Sequence, residues 1–180
     1  MQSARSRTDR RTRARAASRL QRLTAATLLF LAALPARADE ADVRRGAYLA
    51  SIMDCGGCHA PRDAGGAPIE GGGLSGGTIG FEVPGLGVFW PPNLTPHETG
   101  LAGWSTAEIV AAIRSGTRPD GRTLAPAMPW SNYSHLTDDD AAALAAFLQS
   151  LEPVEHQVPA PAGPGATGPA PFFQLVSPGG

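Results

Sequence analysis

Apolar residues recur at helical spacing in three stretches of the chain. In residues 39–54, Val43, Ala47 and Ala50 share a face, and Tyr48, Leu49 and Ile52 widen it. Asp39, Glu40 and Asp42 stand at the end where a helix dipole favours negative charge. The predicted helix runs to Asp54 and straight into Cys55. Gly46 lowers helix propensity inside it, which a close crossing by another helix would explain. A second helix is predicted from Ser105. Ser105 and Glu108 have the spacing of a capping box, Ile109, Ala112 and Ile113 form a stripe, and Gly116 suits the position just past the end. The third spans residues 137–151. Thr137 and the acids 138–140 begin it, Ala141, Leu144, Ala145, Leu148 and Leu151 recur at helical spacing, and Pro153 forbids continuation. Ala145 and Ala146 are small enough to let it cross the first helix near Gly46, with Phe147 and Tyr48 beside the contact.

The remaining sequence has no such period. Residues 61–92 are dense in Gly and Pro, yet hold Leu74, Ile79, Phe81, Val83, Leu86, Val88, Phe89 and Trp90. That many large apolar side chains predict a long packed loop rather than a linker, with a short hairpin strand over residues 78–83. Residues 158–180 are rich in Pro, Gly and Ala and are predicted to lack regular structure. Phe172, Phe173, Leu175 and Val176 interrupt them, and read equally as a tail folded back on its domain or as a docking segment.

The N-terminus changes the charge balance. Eight arginines between Arg5 and Arg22 precede an apolar run of 12 residues, 23–34, and Ala36-Arg37-Ala38 has the small-x-small form of a cleavage site. Residues 1–38 are therefore read as a secretory signal peptide, because a bilayer span needs about 20 apolar residues. An uncleaved anchor is the competing reading. Residues 39–180 then carry six arginines, no lysine and fifteen acids, a formal charge of −9. So acidic a chain is not a nucleic-acid binder, and its field steers it towards partners with basic faces. Its 142 residues fit one domain, 39–157, followed by the tail 158–180.

The only two cysteines stand in Cys55-Gly56-Gly57-Cys58-His59. Two thiols three positions apart with an imidazole directly after them suit covalent attachment of a c-type haem, the thiols forming thioethers to the vinyl groups and His59 standing as an axial ligand of the iron. A structural zinc site would need further ligands at suitable spacing, a thioredoxin-like pair would need a strand–helix context, and a plain disulfide would leave His59 unexplained. For the sixth iron ligand the candidates are Met53, His97, His135, His156 and Met128. Met53 lies on the tethered side and His156 beyond the last helix. Met128 lies between Pro126 and Pro129, where fixed φ angles stiffen the loop, and is preferred to His97 and His135 because His/Met ligation is usual in electron-carrying cytochromes c. With both axial positions filled, single-electron exchange is the chemistry that remains. No catalytic set or phosphate-binding glycine loop accompanies the motif.

Several stretches together resemble the class I cytochromes c, in the version found in cytochrome c subunits of bacterial membrane-associated alcohol, gluconate and aldehyde dehydrogenases. They are residues 45–50, the Cys55–His59 motif, Pro92-Asn93-Leu94-Thr95-Pro96, Glu98 to Ser105, Asp120-Gly121-Arg122, Pro126-Ala127-Met128-Pro129-Trp130 and residues 136–154. The resemblance implies an all-α cytochrome c fold, three main helices around one covalently bound haem c, with Cys55 and Cys58 as thioether residues, His59 as proximal ligand and Met128 as distal ligand. It departs at His97, where the family more often has Asp, and at Trp130, where Tyr is common. Those subunits usually carry three haem domains and a C-terminal membrane helix. One motif and no such helix are found here, so a periplasmic single-haem carrier between a dehydrogenase donor and a cytochrome or oxidase acceptor is expected. A haem-based sensor with a displaceable sixth ligand is the alternative.

Overall fold

The structure is a computed structural model in which residues 39–176 are described; the expected signal peptide lies outside them. Its elements in chain order are α1 (Glu40–Ile52), α2 (Cys55–His59), β1 (Gly80–Val83), β2 (Gly87–Phe89), α3 (Thr106–Ser115), α4 (Trp130–Tyr133), α5 (Asp138–Ser150) and β3 (Phe172–Phe173). The all-α architecture implied by the resemblance is thus corrected: the described residues form five helices and a three-stranded sheet.

The three predicted helices are present, with ends set by local chemistry. The Asp39 side chain accepts from the Ala41 N–H at the start of α1. Ser105 and Glu108 form the complete capping box of α3, and Gly116 ends it in the left-handed region. The Thr137 hydroxyl accepts from the Asp140 N–H to cap α5. One boundary differs from expectation. Helix α1 stops at Ile52, and Asp54, at φ 54° and ψ 41°, turns the chain before Cys55. Asp is among the few non-glycine residues that tolerate this conformation, so the motif occupies a separate helical turn rather than the end of a long helix.

Helices α1, α3 and α5 enclose a core of Leu49, Ala50, Ile109, Ile113, Leu144, Ala145 and Leu148. The crossing of α1 and α5 is centred elsewhere than Ala145 and Ala146. A Cβ placed on Gly46 would collide with the Ala143 carbonyl oxygen and lie 2.6 Å from the Phe147 Cβ, so Ala143 and Phe147 form the crossing face. Tyr48 takes no part. It is 53% exposed, and the Arg45 guanidinium lies 5.5 Å from its ring centre. The first turn of α5 clamps both neighbours: Asp140 accepts two hydrogen bonds from Arg45 of α1, and Asp138 accepts one from Arg114 of α3.

The sheet grows from the glycine- and proline-rich stretch. Pro84 and Gly85, with φ 77° at Gly85 and a Leu86 N–H to Val83 carbonyl bond of 2.9 Å, make a type II turn. It sets β1 against β2, with Phe81 opposite Phe89 and Val83 opposite Gly87. The tail predicted to be irregular supplies the third strand. Phe172 and Phe173 pair in parallel with Gly80 and Phe81, and the Phe81 and Phe173 rings lie 5.6 Å apart. On the other edge Ala162 exchanges two hydrogen bonds of 2.9 Å with Val88. The tail therefore folds back as far as Phe173, leaving Leu175 and Val176 exposed. Among the described residues no helix is long and apolar enough to cross a membrane.

Gly46→Ala is expected to lose about 1–3 kcal/mol of stability in urea unfolding, because the added methyl must push α1 off α5. The Arg45 hydrogen bond holds the Asp140 carboxyl below its ordinary range. Its contribution is present above the unfolded-state carboxylate pKa and is lost as pH falls through the depressed value. The melting temperatures of wild type and Asp140→Asn should therefore differ near neutral pH and converge in acid.

Candidate functional site

The turn forced by Asp54 leads into α2, where Cys55, Cys58 and His59 occupy positions i, i+3 and i+4 of a single helical turn and so share a side. The two thiols are not joined to each other; Cys55 is half-buried and Cys58 exposed. Burial pushes the Cys55 thiol up to about 11 and the Cys58 thiol upward as well, so both rest as protonated thiols. His59 is 6% exposed. Its Nδ1 lies 2.8 Å from the Pro92 carbonyl oxygen, which can only accept, so Nδ1 carries the hydrogen and Nε2 keeps its lone pair. Burial also lowers the imidazole pKa, which favours the neutral ring. A neutral imidazole with Nδ1–H held by a carbonyl is the form in which histidine binds a metal through Nε2.

The Pro92 carbonyl is held by the loop around it. Asn93 is fully buried: its amide donates to the Thr99 hydroxyl and the Val154 carbonyl, and its oxygen accepts from the Thr95 N–H and hydroxyl. The Gly77 N–H donates to the Pro91 carbonyl, and the Gly76 N–H to that of His59 itself. The loop that orients the imidazole is thereby tied to the end of the α2 turn. Arg62 closes the other side. Its guanidinium donates to the carbonyls of Gly57, inside the motif, and Gly66. Arg62 and the Pro92 carbonyl were not foreseen from sequence. A lone arginine near the motif was a faint signal, and a backbone carbonyl leaves none.

Met128 sits half-buried in the turn before α4, with its N–H on the Ala125 carbonyl and its own carbonyl accepting from the Trp130 N–H. Helix α4 is tied towards the motif: the Tyr133 hydroxyl donates to the Met53 carbonyl at 3.2 Å, two residues before Cys55. The phenol's pKa is raised first by burial and then by the nearby Cys55 and Cys58. The structure thus gathers Cys55, Cys58 and His59 in one turn and sets the element that follows Met128 beside it. The other candidates for the sixth ligand have these surroundings. His97 Nδ1 accepts from the Thr99 N–H, His156 Nδ1 lies 2.9 Å from the Ser75 carbonyl oxygen, His135 is exposed, and Met53 packs against the core. Among the described residues no three His, Cys, Asp or Glu side chains cluster as a metal site.

Two free thiols and a neutral buried imidazole fit a covalently tethered haem.

A sequence model of the family described as cytochrome c matches residues 43–152. The cytochrome c subunit of the quinone alcohol dehydrogenase of Gluconobacter oxydans (strain 621H) is 37% identical over 134 residues, covering 73% of this chain and 26% of that protein. The gluconate 2-dehydrogenase cytochrome c subunit of Pantoea cypripedii is 37% identical over 134 residues, covering 73% of this chain and 28% of that protein. The fructose dehydrogenase cytochrome subunit of Gluconobacter japonicus is 36% identical over 127 residues, covering 69% of this chain and 24% of that protein. The chain therefore spans about a quarter of the length of each of these relatives.

Asn93→Ala strands the Thr95 N–H in the interior and leaves the Val154 carbonyl only its long bond from the Thr95 hydroxyl, at 3.4 Å. At about 1–3 kcal/mol for a buried group left unpaired, the variant should lose about that much in urea unfolding of the haem-loaded protein.

Proposed function

The chain belongs to the cytochrome c family, and from that premise we propose that it is a periplasmic single-electron carrier holding one haem c. It is a cytochrome c domain homologous to electron-transfer cytochrome subunits of dehydrogenases, and its family implies a covalently bound haem. The observation that carries the reading is the buried His59, presented by Pro92 with Nε2 free, one residue after the second thiol.

In this proposal Cys55 and Cys58 would hold the haem through thioethers to its two vinyl groups, a thiol addition that needs no oxidant. His59 and Met128 would be the residues that hold its iron. The haem supplies a one-electron iron couple when bound. The chain's residues set its surroundings. The Nδ1–H bond to Pro92 fixes the tautomer and raises the basicity of the imidazole. Core residues packed around Cys55 shield that thiol from water, while Cys58 is exposed. The donor is proposed to be a dehydrogenase and the acceptor a cytochrome or an oxidase, and the net −9 charge of residues 39–180 favours a basic docking face. Export through the N-terminal leader belongs to the same proposal, and appearance of the haem-loaded protein in a periplasmic fraction checks it.

Expression with a cytochrome c maturation system should give one haem per chain by the pyridine haemochrome assay. The oxidised protein should show the weak near-infrared charge-transfer band of thioether-ligated iron. Met128→Ala should abolish that band and let the reduced protein bind carbon monoxide, which the wild type resists. Persistence of the band in the variant would remove Met128 from the ligand set, and ready carbon monoxide binding by the wild type would replace the carrier with a ligand-binding haem protein.

A further inference from the structure

The half-buried Thr99 hydroxyl joins three segments of the chain, and each of its hydrogen bonds has only one possible direction. The Val154 carbonyl can only accept and the Thr95 N–H can only donate. The Asn93 amide nitrogen therefore faces Val154 and Thr99, and its oxygen faces Thr95. The Thr99 oxygen accepts from that amide at 3.0 Å and from the His156 N–H at 3.3 Å. Both lone pairs are then used, so the hydroxyl hydrogen goes to the third neighbour, His97 Nδ1, at 3.0 Å. The Thr99 N–H donates to the same nitrogen at 3.2 Å. His97 Nδ1 thus takes two donors and carries no hydrogen, which puts the ring hydrogen on Nε2. This is the opposite tautomer from His59.

Two lines of contact run from Thr99 to His59. One passes through Asn93 to the adjoining Pro92 carbonyl, which holds the His59 ring at Nδ1. The other passes through His156, whose Nδ1 lies 2.9 Å from the Ser75 carbonyl oxygen, to the next residue, Gly76, whose N–H bonds the His59 carbonyl. Both lines need the Thr99 oxygen as an acceptor. Without an acceptor at His97, the hydroxyl hydrogen has to turn towards the Asn93 amide or the His156 N–H, and a donor then faces a donor. An aromatic carbon in place of Nδ1 fills the same space and accepts nothing. The oxygen of an asparagine stands where Nδ1 does, one bond beyond Cγ, and asparagine oxygens commonly accept the N–H two residues on.

We propose that His97 is a positioning residue for His59: its bare Nδ1 turns the Thr99 hydroxyl so that the oxygen stays free to hold Asn93 and His156, and through them the Pro92 carbonyl on the His59 ring. The inference rests on the single-haem reading above, and it gives His97 a role other than that of an iron ligand.

The test uses the haem-loaded full chain, with pyridine haemochrome and the near-infrared band establishing first that the haem is attached and thioether-ligated. Failure at that step removes the single-haem reading, and this proposal with it. With that step passed, long-range proton–nitrogen spectra of the reduced, diamagnetic wild type should show His97 with a bare Nδ1 and a protonated Nε2. His97→Phe, which keeps a ring but no acceptor, should speed solvent exchange of the His59 Nδ1–H by about fivefold, the worth of one net hydrogen bond. It should also raise the midpoint potential, because a looser Nδ1–H bond makes the imidazole a less basic ligand. His97→Asn, which returns an acceptor, should bring both readings back to those of the wild type while the near-infrared band stays in place. A hydrogen on His97 Nδ1 overturns the proposal. So does an exchange rate unchanged in His97→Phe, or one that His97→Asn fails to restore, which would reduce the ring to a filler. If His97→Phe fails to accumulate, the wild-type tautomer and the exchange rate in His97→Asn decide, a rate faster than wild type counting against the proposal.

Discussion

The hydrogen bond between His59 Nδ1 and the Pro92 carbonyl is the contact on which the arrangement of the rest depends. It fixes which ring nitrogen is free and ties a five-residue turn to a loop 33 positions away. Every other feature of the site can be read as keeping its two ends in place. Asp54 breaks the helix so that the turn faces the loop, and the core residues Leu49 and Ala50 anchor the approach. Asn93, with its amide fully used, fixes the loop from behind. An imidazole buried without that carbonyl would be free to choose its tautomer and orientation, and the two thiols beside it would address no defined plane.

The same bond marks the limit of what was legible beforehand. Short-range features were readable because their causes are local: two thiols and an imidazole within five residues, a Ser and a Glu three apart, a run of acids after Thr137. Each corresponding turn or cap is present. What escaped is held together across long separations. Pro92 acts through a backbone carbonyl that any residue would possess. The α1–α5 crossing falls on Ala143 rather than Ala145 and Ala146, because the phase of a helix about its axis is decided by its neighbours. The expected all-α architecture failed for a related reason: Phe172 and Phe173 have no strand period of their own and become a strand only where β1 offers unpaired backbone.

The electrostatics follow a parallel logic. An acidic chain places five of its six described arginines in ion pairs, two of them at the start of α5, where Asp138 and Asp140 draw α3 and α1 together. Exposed pairs of this kind contribute little each, but they set helix register on a core with few large side chains. Arg62, spent on backbone carbonyls at the motif, is the exception that stabilises the turn directly.

The tail's grip on the hairpin bears on how the molecule comes into being. Ala162 bonds one edge of the sheet, Phe172 and Phe173 bond the other, and the Trp90 indole donates to the Pro171 carbonyl 81 residues away. The loop presenting Pro92 is likewise latched by Val154, after the last long helix. Contacts of such separation form late, since loop closure must precede them. The cysteine turn is made early from neighbouring residues, whereas the wall behind its histidine waits for the final quarter of the chain. A chain whose Val154 had not yet docked would hold its thiols in place beside a loop not yet fixed, the arrangement in which a cofactor is most easily fitted.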